Sequence, residues 1–344
     1  MLRKFTMLSF RLWSMRFPTL TLLFIILTLT TFLLSYTYHD PSTTYFYLLK
    51  LSGGATENLP KRVCACKRCI SEPDIVPWFD ERFNQSIHPL MSKKNSILSE
   101  DTYKWWQRLQ SENNPANYTE VVQRLFEVIP GEEMYVDWGS SRCRTCAVVG
   151  NSGNLKGSNY GAQIDSHAFI IRMNHAPTFG YEKDVGSRTT HHLIYPESAK
   201  NLPNSTMLVL IPFKTLDLQW IISALTTGTI KHTYMPVLSK INVKNDKVLI
   251  YSPTFFKYVF ENWLENHGRY PSTGFLSIMF AVHLCDEVNV FGFGADEKGN
   301  WHHYWENNPL AGAFRQSGVH DGDFEYNITI LLSETGKINI FKGR

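Results

Sequence analysis

Charged residues of both signs are few in this chain. Only 19% of its 344 residues are charged, and the formal net charge is +3. Arg3, Lys4, Arg11 and Arg16 precede residue 38 with no acid among them, which leaves 30 basic against 31 acidic residues beyond. A near-neutral body offers no basic face to a phosphate backbone, so no nucleic-acid partner is expected. Internal repeats and low-complexity tracts are absent as well. What is present is 43% hydrophobic and 14% aromatic. That mix supplies a large packed core and excludes disorder, collagen-like repeats and a small disulfide-only scaffold.

Residues 17–38 carry no charge and are rich in Leu, Ile, Phe and Thr. At ~1.5 Å rise per residue such a run crosses a hydrocarbon layer of ~30 Å. A cleaved signal peptide is the rival reading, but its apolar stretch is shorter and closes on small residues. The run here ends in Leu34, Ser35, Tyr36, Thr37 and Tyr38. The expected organisation is a cytoplasmic tail (1–16), an uncleaved signal-anchor (17–38), a stem (39–62) with Pro41, Gly53, Gly54 and Pro60, and a lumenal catalytic domain (63–344). The four cations ahead of the anchor place the N-terminus in the cytosol. Sequons at Asn84, Asn117, Asn204 and Asn327 agree with a lumenal body as glycosylation sites.

All six cysteines, Cys64, Cys66, Cys69, Cys143, Cys146 and Cys285, lie beyond the anchor. An oxidising lumen converts such an even set into disulfides, although the spacings Cys66-x-x-Cys69 and Cys143-x-x-Cys146 also admit a four-thiolate zinc site. The long gap between the pairs and the extra Cys64 favour disulfides, with the connectivity left open.

Helical signals come first along the lumenal part. Ser99 caps a predicted helix carrying Tyr103, Trp106 and Leu109, with Gln110 beside it, and Thr119 caps a second with Val122, Leu125, Phe126 and Ile129 inward. From residue 147 short apolar strands alternate with helices: 147–149, 169–171, 207–211, 248–251 and 288–291. Ser252 and Pro253 start a helix that buries Phe256, Val259, Phe260 and Trp263 and stops at Gly268. This alternation predicts an α/β fold, a mostly parallel sheet flanked by helices. Ligands of such sheets sit at the carboxyl ends of the strands.

At those ends stand candidate groups. Gly150, Asn151, Ser152, Gly153 and Asn154 follow the first strand, a turn that admits close backbone approach of a nucleotide or sugar, though it is neither a Walker loop nor G-x-G-x-x-G. Asn174 ends the next strand, and Gly292 and Gly294 a later one. Ser272, Thr273 and Gly274 open an apolar helix whose first N–H groups suit a phosphate. His302, His303 and His320 lie near the C-terminus, and imidazole, titrating near 6.5, takes a proton from a sugar hydroxyl at working pH. Asp321 and Asp323 form a D-x-D pair, the weak signature of a metal-dependent glycosyltransferase.

These segments together resemble the animal sialyltransferase family. Residues 143–154, continuing through Asn174 to Gly186, resemble its large sialylmotif, and residues 269–274 through Cys285 to Gly294 its small one. His303, Tyr304, Trp305 and Glu306 match the third motif, and His320 with Glu325 the very small one. The strings 191–198 and 301–308 resemble the β-galactoside α-2,3 members of types 1 and 2, type 1 being preferred. The resemblance implies a variant glycosyltransferase-A (Rossmann-like) fold in a single catalytic domain, CMP-sialic acid as donor and no metal. It implies Galβ1-3GalNAc on glycoproteins and glycolipids as acceptor, and a Golgi membrane location as a single-pass type II protein, with secretion after stem cleavage as an alternative fate. It also implies the pairings Cys64–Cys69, Cys66–Cys143 and Cys146–Cys285. On the same footing His320 is the general base, oriented by Glu325. His303, Ser272, Thr273, Gly274 and Tyr234 take the phosphate; Asn151 and Asn174 hold the nucleotide with Gly294 lining the site; Gln110 and Tyr270 position the galactoside. Two alternatives stand beside this reading: a sialyltransferase of other linkage, and a catalytically inactive membrane-anchored glycan-binding protein.

Overall fold

The computed structural model describes residues 24–31, 62–73, 77–295, 300–307 and 318–344. The chain divides into residues 1–61 and 62–344. In the first unit residues 24–31 form a helix with Phe24, Ile25, Ile26, Leu27 and Leu29 exposed. The expected tail (1–16) lies outside the described residues, as do most of the anchor (17–38) and the stem (39–62). Among the described residues no helix is long and apolar enough to cross a membrane.

The second unit is an α/β sandwich around one eight-stranded sheet. Its strands are β1 (Leu90–Met91), β2 (Thr145–Val149), β3 (Phe169–Met173), β4 (His191–Ile194), β5 (Met207–Leu210), β6 (Val248–Tyr251), β7 (Glu287–Phe291) and β8 (Asn339–Phe341). Their spatial order is β1-β6-β5-β4-β3-β2-β7-β8, every pairing parallel except that of β1 with β6. The helices are α1 (Glu100–Gln107), α2 (Tyr118–Val128), α3 (Gly161–Asp165), α4 (Glu182–Val185), α5 (Thr215–Leu225), α6 (Pro253–Tyr258), α7 (Thr273–Leu284) and α8 (Gly322–Glu334). Alternate residues of a strand point to opposite faces. Cys146 and Val148 of β2 accordingly join the larger apolar layer with α7, and Ala147 and Val149 join the smaller one. Burial on both faces explains why the central strands read as unbroken apolar runs.

The expected strands appear at their expected places. Sequence reading passed over three strands: the short edge strands β1 and β8, and β4, whose His191 and His192 disguise an element buried along its whole length. Both imidazoles are kept neutral by burial, pushed down to about 3. His191 meets the Tyr135 hydroxyl at 2.8 Å and the Thr190 hydroxyl at 2.9 Å. Ser99 caps α1, but that helix ends at Gln107, so Leu109 and Gln110 follow it in a loop. The cap of α2 is Asn117 rather than Thr119: its Oδ1 accepts from Thr119 N and Glu120 N. The helix begun by Ser252 and Pro253 ends in a π turn (Val259–Trp263), short of Gly268, before Glu265 and Asn266 turn left-handed. All four sequon asparagines are exposed.

The cysteines pair as the resemblance implies: Cys64–Cys69, Cys66–Cys143 and Cys146–Cys285. The last joins the start of β2 to the end of α7 across 139 residues of sequence. Asp286 reinforces that end by accepting from Arg142 Nε and Nη2 at 2.8 and 2.7 Å and from Arg144 N at 2.7 Å. Closing so long a loop restricts the unfolded chain by an amount worth roughly 3–5 kcal/mol. Replacing Cys146 and Cys285 together by Ala is therefore expected to lower unfolding free energy by about that much, read from urea unfolding under oxidising conditions.

Candidate active site

From β2 the strand order runs one way through β3, β4, β5 and β6 and the other way through β7 and β8. The direction reverses between β2 and β7, and a crevice opens at such a switch point beyond the carboxyl ends of the strands. A cavity of about 490 Å³ lies there. The residues assigned to the base, the donor and the acceptor line it, namely Gln110, Asn151, Asn174, Tyr234, Tyr270, Ser272, Thr273, Gly274, Gly294, His303 and His320, whereas Gly153, Asn154, Asp321 and Asp323 do not.

The floor is made where two strand ends run side by side. Gly150 N donates to Phe291 O at 2.8 Å, Ser152 N to Gly292 O at 3.1 Å, and Ser152 Oγ to Gly294 O at 2.8 Å. A Cβ on Gly150 would stand 2.4 Å from the Gly292 carbonyl, so the glycine is required by the neighbouring strand. Gly294, at φ +109°, takes a conformation closed to other residues. Asn151 and Asn174 face the cavity from adjacent strand ends, and the Oδ1 of each is buried without a hydrogen-bond partner. Buried amide oxygens left so are costly unless a ligand donates to them. Asn174 is itself left-handed (φ 58°) and held by two bonds: its N–H donates to Leu193 O at 3.0 Å and its carbonyl accepts from His192 Nε2 at 2.6 Å.

The wall is the start of α7. Ser272 is its N-cap, accepting on Oγ from Phe275 N at 3.1 Å. Thr273 and Gly274 supply first-turn N–H groups, which have no acceptor within a helix. Glu325 from α8 lies behind them. Its carboxylate accepts from Ser272 N at 2.7 Å and from Ser272 Oγ at 2.5 Å. The expected contact of Glu325 with His320 is thus replaced by one with Ser272: one turn into α8, the carboxyl reaches across to the neighbouring helix. Burial pushes Glu325 up to about 7, against the lowering effect of the two Ser272 bonds.

His320 precedes α8. Its Nδ1–H donates to the Tyr270 carbonyl at 2.8 Å, and the two rings meet edge to face at 5.1 Å. With the hydrogen held on Nδ1, the lone pair of the neutral ring sits on Nε2. Burial holds its pKa below the ordinary histidine value, the Tyr270 bond opposing that only in part. His303 lies beside Ser152 as an antiparallel bridge, stacked on Trp305 at 4.4 Å, and its Nδ1–H donates to Glu306 Oε1 at 2.9 Å. Asp321 serves as a cap: Oδ1 accepts from Phe324 N at 3.0 Å while Oδ2 meets His267 Nδ1 at 3.1 Å. Among the described residues no cluster of three or more His, Cys, Asp or Glu is arranged to hold a metal ion.

Sequence reading missed Tyr195, Glu197 and Phe213, which also line the cavity. Glu197 accepts from Tyr234 N at 3.0 Å and from the Thr233 hydroxyl, fixing the exposed Tyr234 at the rim. Only the string 191–198, noticed for its resemblance, hinted at the first two; Phe213 follows an ordinary buried strand and gave no sign.

Family and structural comparisons agree on one group of proteins. The family model "Glycosyltransferase family 29 (sialyltransferase)" matches residues 90–337. The chain is 56% identical to CMP-N-acetylneuraminate-beta-galactosamide-alpha-2,3-sialyltransferase 1 of Mus musculus, over 96% of this chain and 99% of that protein. With the corresponding enzyme 2 of Rattus norvegicus identity is 49%, over 96% and 99%. A crystal structure of a mammalian sialyltransferase in complex with Gal-beta-1-3GalNAc-ortho-nitrophenol superposes with a TM-score of 0.76 at 57% identity, covering 82% of this chain and 100% of that one.

The raised Glu325 carboxyl has a thermodynamic signature. Between its unfolded value near 4.5 and about 7 the folded state holds the extra proton, so its contribution to stability falls as pH rises through that window. Glu325→Gln is expected to flatten this decline by a measurable part in thermal unfolding between pH 5 and 8; an unchanged pH slope would mean the carboxyl is ionised throughout.

Proposed function

The chain belongs to glycosyltransferase family 29, the sialyltransferases, and from that premise we propose that it transfers sialic acid from CMP-sialic acid to O3 of the terminal galactose in Galβ1-3GalNAc of O-glycans and glycolipids, with His320 as general base. The observation that carries the proposal is the His320–Tyr270 pair: His320 presents a neutral imidazole through its Nδ1 bond, and Tyr270 offers an aromatic face and phenol to a sugar in the same cavity. The α-2,3 linkage follows the activity named for the relatives, and type 1 at 56% identity is the better fit than type 2 at 49%.

The chemistry is a single displacement. Galactose O3 attacks the anomeric carbon of sialic acid as the bond from that carbon to the CMP phosphate oxygen breaks, so the configuration inverts. Nε2 of His320 receives the O3 proton. Negative charge gathers on the departing phosphate, where the Thr273 and Gly274 N–H groups, the Ser272 cap, His303 and the Tyr234 hydroxyl are the groups assigned to it. Asn151 and Asn174 take the cytidine monophosphate, and their partnerless Oδ1 atoms suit donors such as ribose hydroxyls or the exocyclic amine of cytosine. Gln110 and Tyr270 orient the galactoside. A nucleoside monophosphate leaves with one phosphate, which fixed donors neutralise without a cation; Asp321, already committed to its cap, is not assigned to a metal. We place the enzyme in the Golgi membrane by the N-terminal apolar run, with its catalytic unit in the lumen and its sequons available for glycosylation.

His320→Ala is expected to lower turnover by roughly 10²-fold or more while CMP affinity stays nearly intact, measured by CMP release and CMP titration. Because the imidazole is held below its ordinary value, the acid limb of kcat/KM is expected below pH ~6.5. Normal turnover in the variant would remove the base from the mechanism. Full activity is expected in excess EDTA; inhibition reversed by Mn²⁺ would restore a metal to the reaction.

A further inference from the structure

Beneath the acceptor end of the cavity lies a buried ion pair that the mechanism does not use. Lys214 and Asp217, 3% and 0% exposed, meet at 2.8 Å at the start of α5. A buried pair of this kind contributes little net stability, since desolving both charges offsets their attraction. Its contacts point elsewhere. Lys214 Nζ donates to Gln110 Oε1 at 2.6 Å, and Asp217 Oδ2 accepts from Phe213 N at 2.8 Å. Both partners line the cavity, as does Tyr270, and the Phe213 ring lies 5.1 Å from the Tyr270 ring.

An ammonium can only donate. The end of Gln110 facing Lys214 must therefore be its oxygen, which leaves its amide N–H groups for the cavity that Gln110 lines. We propose that Lys214 is a positioning residue for acceptor recognition: it fixes the polarity of the Gln110 amide, so that its N–H groups, rather than its oxygen, are presented beside Tyr270 to an acceptor oxygen of the galactoside. Asp217 completes the device by holding Lys214 and, through Phe213, the face of the same tyrosine. The inference rests on the proposed acceptor role of Gln110 and Tyr270, and it assigns the chain a built-in preference for an acceptor-side group with a lone pair at that place.

The test uses the soluble lumenal chain with CMP-sialic acid and Galβ1-3GalNAc. Lys214→Met, close in shape and without charge, is expected to raise the acceptor KM about tenfold while the donor KM and the slow hydrolysis of donor without acceptor stay within about twofold. In a Gln110→Ala background the same substitution is expected to have almost no further effect, since the lysine acts through that amide. Because Lys214→Met leaves Asp217 unpaired, the double variant Lys214→Met/Asp217→Leu is measured beside it, with thermal unfolding as the control for fold; it is expected to show the same acceptor defect in a folded protein. An unchanged acceptor KM in either folded variant, or losses that multiply with those of Gln110→Ala, would overturn the assignment. Failure of the unmodified chain to sialylate any galactoside would overturn the function itself and is read separately.

Discussion

The two bonds that the Glu325 carboxyl takes from Ser272 fix the start of α7 against the start of α8. On one side of that contact stand the first-turn N–H groups of Thr273 and Gly274, and on the other the segment that carries His320. A buried carboxyl without such donors would be strongly disfavoured, so the geometry of two helix ends is tied to the satisfaction of one group. The Tyr270 carbonyl, two residues before Ser272, then sets the tautomer of His320. His320 and the first turn of α7 are thus placed by adjacent stretches of a single loop.

Much of the architecture was legible because the central strands are apolar on both faces and helices separate them. Where reading failed, polar residues hid buried elements or side chains chose distant partners. β4 begins with two histidines, each neutralised by burial and used to hold a neighbour, and no periodicity betrays such a strand. Asn117 rather than Thr119 caps α2 because the asparagine oxygen reaches two N–H groups at once. The partner of Glu325 lies 53 residues away in sequence, beyond any local rule.

The site was legible as a set of pieces and illegible as an arrangement. Glycine at 150 announced close approach, but what approaches is the Gly292 carbonyl of the adjoining strand. Motif resemblance gathered Gln110, Tyr234 and Gly294, whose residue types alone carry no chemistry. Phe213 and Lys214 came to light only through contacts, because an aromatic and a lysine after an ordinary strand look like core or surface until their neighbours are known.

The parts of the cavity enter the chain in an order with a biological consequence. The strand ends and the α7 wall precede residue 295, whereas His320, Glu325 and β8, which closes the sheet's edge beside β7, belong to the final stretch ending at Arg344. A ribosome still holding residues 320–344 in its exit tunnel would carry a nascent polypeptide whose strand ends and α7 are made while His320 and β8 are not yet folded against them. The cavity is therefore completed last by the segment from His320 to β8, and loss of that segment would open its wall and uncover the edge of β7.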